Sequence, residues 1–129
     1  MKMNKAVYDT RFFDVLFNSR SEELKTKTQQ ERIRKEKFVS AVVIHELYKL
    51  TLANEGKEIA KLKIAYLKQD FEVIPVNDQI AQISAEFRHK YNLPMGDSMI
   101  AATAFVLNAV CISDDGHFQL IKEIKTSWL

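Results

Sequence analysis

The stretch Asn92–Phe118, NLPMGDSMIAATAFVLNAVCISDDGHF, decides how this chain folds. Pro94 and Gly96 break whatever precedes them, and Asp97 or Ser98 can cap the small-residue apolar helix that follows. Asp97 therefore lies where the backbone enters a first helical turn, with its carboxylate near the surface. Val110 to Ser113, VCIS, is a short continuous apolar run, the mark of a strand covered on both faces as in a parallel sheet. Asp114 and Asp115 follow it at once. Parallel strands end at one rim, and open α/β sheets bind ligands outside the carboxyl ends of their strands. The stretch thus predicts a carboxylate cluster on that rim.

The 129 residues around it fit one domain, spanning 1–129. A chain of that size hides roughly 65 to 70% of its unfolded surface in a single core. The longest apolar run, Met99 to Leu107, is interrupted by Asn108 and falls short of the ~20 residues of a membrane helix, so no membrane span is expected. Met1 to Lys5 lacks the apolar centre of a signal peptide, which leads to the expectation of a cytoplasmic protein. Cys111 is the only cysteine, excluding an internal disulfide, and inside a buried strand it reads as a small apolar filler. The net charge of +2 is too small to announce a nucleic-acid binder, so any basic surface must come from uneven placement.

Taken in order, Lys5 to Asp9, KAVYD, is a strand stopping on an acid, and Thr10 to Phe17 has helical spacing, so Asp9 or Thr10 can cap that helix. Ser21 to Lys37 is polar nearly all round apart from Leu24 and Ile33 and is expected to be a solvated helix or a mobile arm. Its six basic residues from Lys25 onward outnumber Glu31 and Glu36, an excess able to attract phosphates or an acidic peptide. Phe38 to Ala41 is extended, and Val42 to Asn54 continues as a helix that Gly56 can end. Val43, Leu47 and Leu50 form the expected buried stripe, with Glu46 on its edge. A carboxylate there needs a counter-charge or a tilt into water, since burying it unpaired is costly. His45, His89 and His117 each lack a second histidine at ligand spacing, which argues against zinc.

Glu58 to Gln69 is a further amphipathic helix, FEVIPV (Phe71 to Val76) a short strand, and Asn77 or Asp78 caps a helix running to Tyr91. Ile121 to Leu129 supplies a last short strand. Strands alternating with helices mean an α/β/α sandwich around a mainly parallel sheet of about five strands. No glycine-rich phosphate loop is present, which disfavours ATP-dependent and NAD-dependent enzymes.

Four blocks now resemble a PIN domain, and most of all the small PIN ribonucleases that act as VapC-type toxins. AVYDTRFF is similar to the family's strand followed by Asp-Thr or Asp-Ser, and SAVVIHELYKL to its Ser-centred strand and helix with an internal Glu. LPMGDSMIAATA resembles the block Asp-x-x-Ile-Ala-x-x-Ala, and CISDDGHF resembles Thr/Ser-x-Asp-x-His/Asp-Phe. The blocks occur in order across nearly the whole chain. Carried over by position, the resemblance implies Asp9, Glu46, Asp97 and Asp115 as the acidic active-site residues. It implies Thr10 and Ser113 as supporting hydroxyls, with Asp114 beside the preferred Asp115.

Several carboxylates on one rim repel one another unless a cation sits among them. Oxygen ligands without Cys or clustered His suit Mg²⁺ or Mn²⁺. The implied reaction is hydrolysis of RNA, with Asp9, Asp97 and Asp115 binding metal and Glu46 either a ligand or the group that handles the attacking water. An antitoxin helix would suit such a toxin and could cover Phe12, Phe13 and Phe17, although core packing is the expected use of these residues, and a homodimer is expected separately. Two rivals remain. One is a non-catalytic PIN-like module that only binds metal or protein. The other is a phospho-acceptor receiver domain, disfavoured because no acidic pair follows the first strand and FEVIPV ends without Asp.

Overall fold

The computed structural model describes residues 4–129. Its strands are β1 (Lys5–Tyr8), β2 (Glu36–Ser40), β3 (Glu72–Ile74), β4 (Val110–Ile112) and β5 (Thr126–Ser127). They form one sheet in the order β3-β2-β1-β4-β5, with every neighbouring pair parallel. Val7 lies opposite Phe38 on one side and Cys111 on the other, so β1 is the centre of the sheet. Ala6, Val7 and Tyr8 are fully buried, as are the three residues of β4 apart from slight exposure, which is why both strands read as unbroken apolar runs.

Helices connect the strands, since parallel neighbours need long crossovers. Among the described residues they are α1 (Thr10–Asn18), α2 (Glu22–Glu31), α3 (Ala41–Glu55), α4 (Lys57–Asp70), α5 (Asp78–Tyr91), α6 (Met95–Leu107) and the one-turn α7 (Gly116–Gln119). The sheet with its flanking helices is the α/β/α sandwich the sequence predicts. The chain leaves β1 towards β2 and β3 on one side, then returns to the other side of β1 for β4 and β5. That change of direction leaves a crevice at the carboxyl ends of β1 and β4.

Several local expectations need correction. The helix after Pro94 starts at Met95, with no side-chain cap, so neither Asp97 nor Ser98 caps it. Ser98 is instead buried, donating to the Met95 carbonyl (2.8 Å) and sharing a hydrogen bond with Ser84 (3.0 Å). On α3 the buried positions are Val43, Leu47 and Thr51, a strict i, i+4, i+8 row, while Leu50 turns outward and is 55% exposed. The polar stretch from Ser21 is helical only to Glu31, capped by the Ser21 hydroxyl (3.3 Å to the Leu24 N–H), and then becomes β2. Lys37 is nearly buried in that strand. Its ammonium donates to the Arg32 carbonyl and sits 5.5 Å from the Phe71 ring centre.

Most basic groups of this stretch are matched within the chain. Lys25 lies near Glu22 (3.7 Å), Lys27 near Glu23 (3.2 Å), Arg32 near Asp70 (2.9 Å) and Arg34 near Glu31 (2.5 Å). Intramolecular pairing thus dilutes the phosphate-attracting excess. Phe12 and Phe13 are fully buried, packed with Tyr8 and Phe71 at ring separations from 4.6 to 6.1 Å, so only Phe17 of that trio reaches the surface. No described helix is long and apolar enough to cross a membrane.

Candidate active site

Asp9 follows the last residue of β1, and its backbone N–H donates to the Ile112 carbonyl at the end of β4 (3.1 Å). The carboxylate is 4% exposed and both oxygens are held. Oδ1 accepts the Thr10 backbone N–H at 2.7 Å, which caps α1, and Oδ2 accepts the Ser113 hydroxyl at 2.7 Å. Burial pushes the Asp9 carboxyl above its ordinary value of 3.8. The two hydrogen bonds oppose that rise, while the charges of Asp97 and Asp115 add to it.

Ser113 links two acids. While donating to Asp9, its oxygen accepts the Asp115 N–H at 3.0 Å, and Asp115 Oδ1 in turn accepts the His117 N–H at 2.9 Å as the cap of α7. Asp114 points elsewhere. Its carboxylate forms a two-pronged pair with Arg11, including a 3.1 Å contact from the guanidinium to Oδ2, and this pair holds its pKa below the ordinary carboxylate value. Just past the end of β4 the two adjacent acids part, Asp114 going to Arg11 and Asp115 to the crevice.

Asp97 reaches the rim from the first turn of α6, where the helix dipole favours a negative charge. Burial raises its pKa first, the Asp115 charge next, and His117 pulls in the opposite sense. Glu46 comes from α3. Burial pushes its carboxyl up, Asp9 and Asp97 push it further, and the Thr10 hydroxyl counters them. The close approach of α3 to α6 depends on Gly96, since a Cβ there would stand 3.1 Å from Glu46 Oε1. Beside these acids opens a cleft of about 410 Å³, with His45, Lys49 and Met95 on its walls. Larger hollows of about 500 and 600 Å³ lie at the amino ends of the strands, away from the cluster.

His117, which sequence spacing left as an ordinary histidine, stands inside the cluster. Its Nδ1 is 2.9 Å from Asp97 Oδ2 and 3.1 Å from Asp115 Oδ1. No second histidine is involved, so the rule for zinc pairs gave no signal. The available cue was the spacing Asp115-x-His117 in a turn directly after a strand end.

The four acids named from sequence thus share one rim, and the donor set suits a hard divalent cation. Among the described residues, Asp97, Asp115 and His117 bring ligand atoms within 4.8 Å of one another. Three neighbouring carboxyls have pKa values raised by burial and mutual repulsion, as expected for a site that holds positive charge. Thr10 Oγ1 is buried with no partner at hydrogen-bond geometry, a polar atom facing the same crevice region as Glu46.

The PIN domain family model matches residues 6–124. The comparison with curated protein sequences gave no match. Among solved structures, the chain is similar to VapBC2 from Rickettsia felis bound to a promoter DNA fragment, with a TM-score of 0.79, 16% identity, and coverage of 95% of this chain and 97% of that one. It is similar to VapBC-1 from nontypeable Haemophilus influenzae, with a TM-score of 0.78, 22% identity and coverage of 95% and 96%. A third similar structure is VapC20 of Mycobacterium tuberculosis, described as a sarcin-ricin loop cleaving toxin, with a TM-score of 0.74, 18% identity and coverage of 90% and 94%.

Proposed function

This chain belongs to the PIN domain family, and from that premise we propose that it is a divalent-metal-dependent endoribonuclease, the toxin of a toxin–antitoxin pair. The observation that carries the reading is the gathering of Asp9, Glu46, Asp97 and Asp115 at the carboxyl ends of β1 and β4. A fold of this kind hosts many functions, so the acids rather than the sheet carry the weight.

Asp97 and Asp115 would hold Mg²⁺ or Mn²⁺, with Asp9 contributing the lone pairs that its two hydrogen bonds leave over. When bound, such an ion polarises a phosphodiester oxygen and lowers the pKa of water. Glu46 orients the attacking water or takes its proton at a carboxylate oxygen. Its raised pKa makes Glu46 a stronger base than a solvated glutamate. Ser113 and the Thr10 N–H lock Asp9 in one orientation, and Ser113 sets Asp115 through its backbone.

The antitoxin would be an amphipathic helix. Phe17, Ile59, Leu62 and Tyr66 border a shallow, almost wholly apolar groove of about 410 Å³ between α1 and α4. The similar structures include VapBC assemblies and a Klebsiella pneumoniae toxin–antitoxin complex, which supports a partner of this kind. A homodimer and a cytoplasmic location belong to the same proposal. The test is induced expression of the chain alone in a bacterial host. Growth should stop with RNA cleaved, and an adjacent small open reading frame should restore it. Continued growth with intact RNA at high expression would favour a non-catalytic module.

A further inference from the structure

We infer that His117 is a nitrogen ligand of the same cation, and that it tilts the centre towards Mn²⁺ over Mg²⁺. The inference rests on the metal-dependent reading above and adds to it a residue and a preference. His117 Nδ1 lies 2.9 Å from Asp97 Oδ2 and 3.1 Å from Asp115 Oδ1, so one atom stands between two carboxylates from different elements. A single Nδ1–H points well at one oxygen only. A cation is shared by all three donors without that conflict.

The separations also fit. Adjacent ligands of a six-coordinate ion with bonds of about 2.1 Å stand about 3 Å apart. The backbone that carries the imidazole is anchored. The His117 backbone N–H is anchored on Asp115 Oδ1 in the first turn of α7, and the following Phe118 is fully buried, fixing that turn to the core. Asp97, Asp115 and His117 are the described residues whose ligand atoms gather within 4.8 Å of one another, and Asp9, with both oxygens hydrogen-bonded to Thr10 and Ser113, can add only its remaining lone pairs.

The nitrogen matters for selectivity. Mg²⁺ is bound through oxygen and gains little from imidazole, whereas first-row transition ions accept it readily. A centre of two carboxylates and one imidazole therefore favours Mn²⁺, while an all-oxygen centre would not discriminate in this way.

The test uses the purified full chain without RNA, titrated separately with MnCl₂ and MgCl₂ by calorimetry. His117→Ala should weaken Mn²⁺ binding by about tenfold or more and Mg²⁺ binding by no more than about twofold. His117→Asp should bind Mg²⁺ at least as well as wild type but lose the preference for Mn²⁺. Electron spin echo of bound Mn²⁺ should show a directly coordinated nitrogen in wild type and none in either variant, with circular dichroism confirming folded protein. Unchanged Mn²⁺ affinity in His117→Ala, equal losses for both ions, or no nitrogen coupling in wild type would overturn the inference while leaving the metal-dependent reading intact. Failure of wild type to bind either ion would overturn both.

Discussion

Replacing Asp97 by Asn separates what the cluster does for chemistry from what it does to stability. The ligand atoms of Asp97 and Asp115 lie within 4.8 Å. Two unit charges at such a distance repel by about 1 kcal/mol at the dielectric of water and about 3.5 kcal/mol at an effective dielectric near 20. Their side chains are 19% and 29% exposed, so solvent screening favours the lower figure. His117 opposes this repulsion without cancelling it, because the Asp97 carboxyl still stands above its ordinary 3.8. The neutral amide should therefore stabilise the metal-free fold by about 1 kcal/mol, raising Tm by about 3 to 5 °C at pH 7.5.

The sign with pH follows from linkage. A carboxyl with a raised folded pKa gives its full contribution to stability below the ordinary value and loses it as pH rises through the folded value. The Tm gap between Asp97→Asn and wild type should thus narrow as pH falls from 7.5 towards 4. Added Mg²⁺ or Mn²⁺ should raise the wild-type Tm far more than that of the variant. RNA cleavage by the variant should fall by about a hundredfold or more. Scanning calorimetry with and without EDTA measures all but the last. A variant that melts below wild type in metal-free buffer, or a gap that widens at low pH, would refute the reasoning.

Further outcomes are expected from other sites. Gly96→Ala places a methyl 3.1 Å from Glu46 Oε1, so it should displace that carboxylate and cut RNA cleavage by about tenfold with the circular dichroism spectrum unchanged. Asp114→Asn removes only a surface pair with Arg11 and should leave cleavage intact at a stability cost below about 1 kcal/mol, whereas Asp115→Asn should lose cleavage; parallel nuclease assays and denaturant titrations distinguish the neighbours. Leu62, 64% exposed on the apolar groove, tests the partner surface: Leu62→Glu should abolish neutralisation by the antitoxin in a co-expression assay while RNA cleavage persists.

The parallel sheet is legible because KAVY and VCIS are largely apolar runs, and Asp9 and Asp115 stand out because each follows such a strand, whereas Asp97 lies in the first turn of α6 and Glu46 inside α3. Their convergence could be expected only from the fold class, since Asp9 and Ser113 are 104 residues apart yet bonded at 2.7 Å. What pattern reading missed was decided by tertiary contacts. Lys37 reads as part of a wet charged stretch, but its stem packs in β2 because Phe71 and the Arg32 carbonyl receive its ammonium. Leu50 reads as core by type, and the row through Val43, Leu47 and Thr51 leaves it outside. A single histidine carries no ligand spacing, and only the folded turn of α7 brings His117 between Asp97 and Asp115.

The central claim is that carboxylates from four separate segments form one cation-dependent centre that cuts RNA. It is tested most directly by incubating the purified chain with defined single-stranded RNAs in Mg²⁺ or Mn²⁺, with and without EDTA. Cleavage that appears with the ion and disappears with the chelator is the predicted result. RNA left intact under both conditions by a protein that calorimetry shows to bind the ion, or cutting that continues undiminished in EDTA, would contradict it.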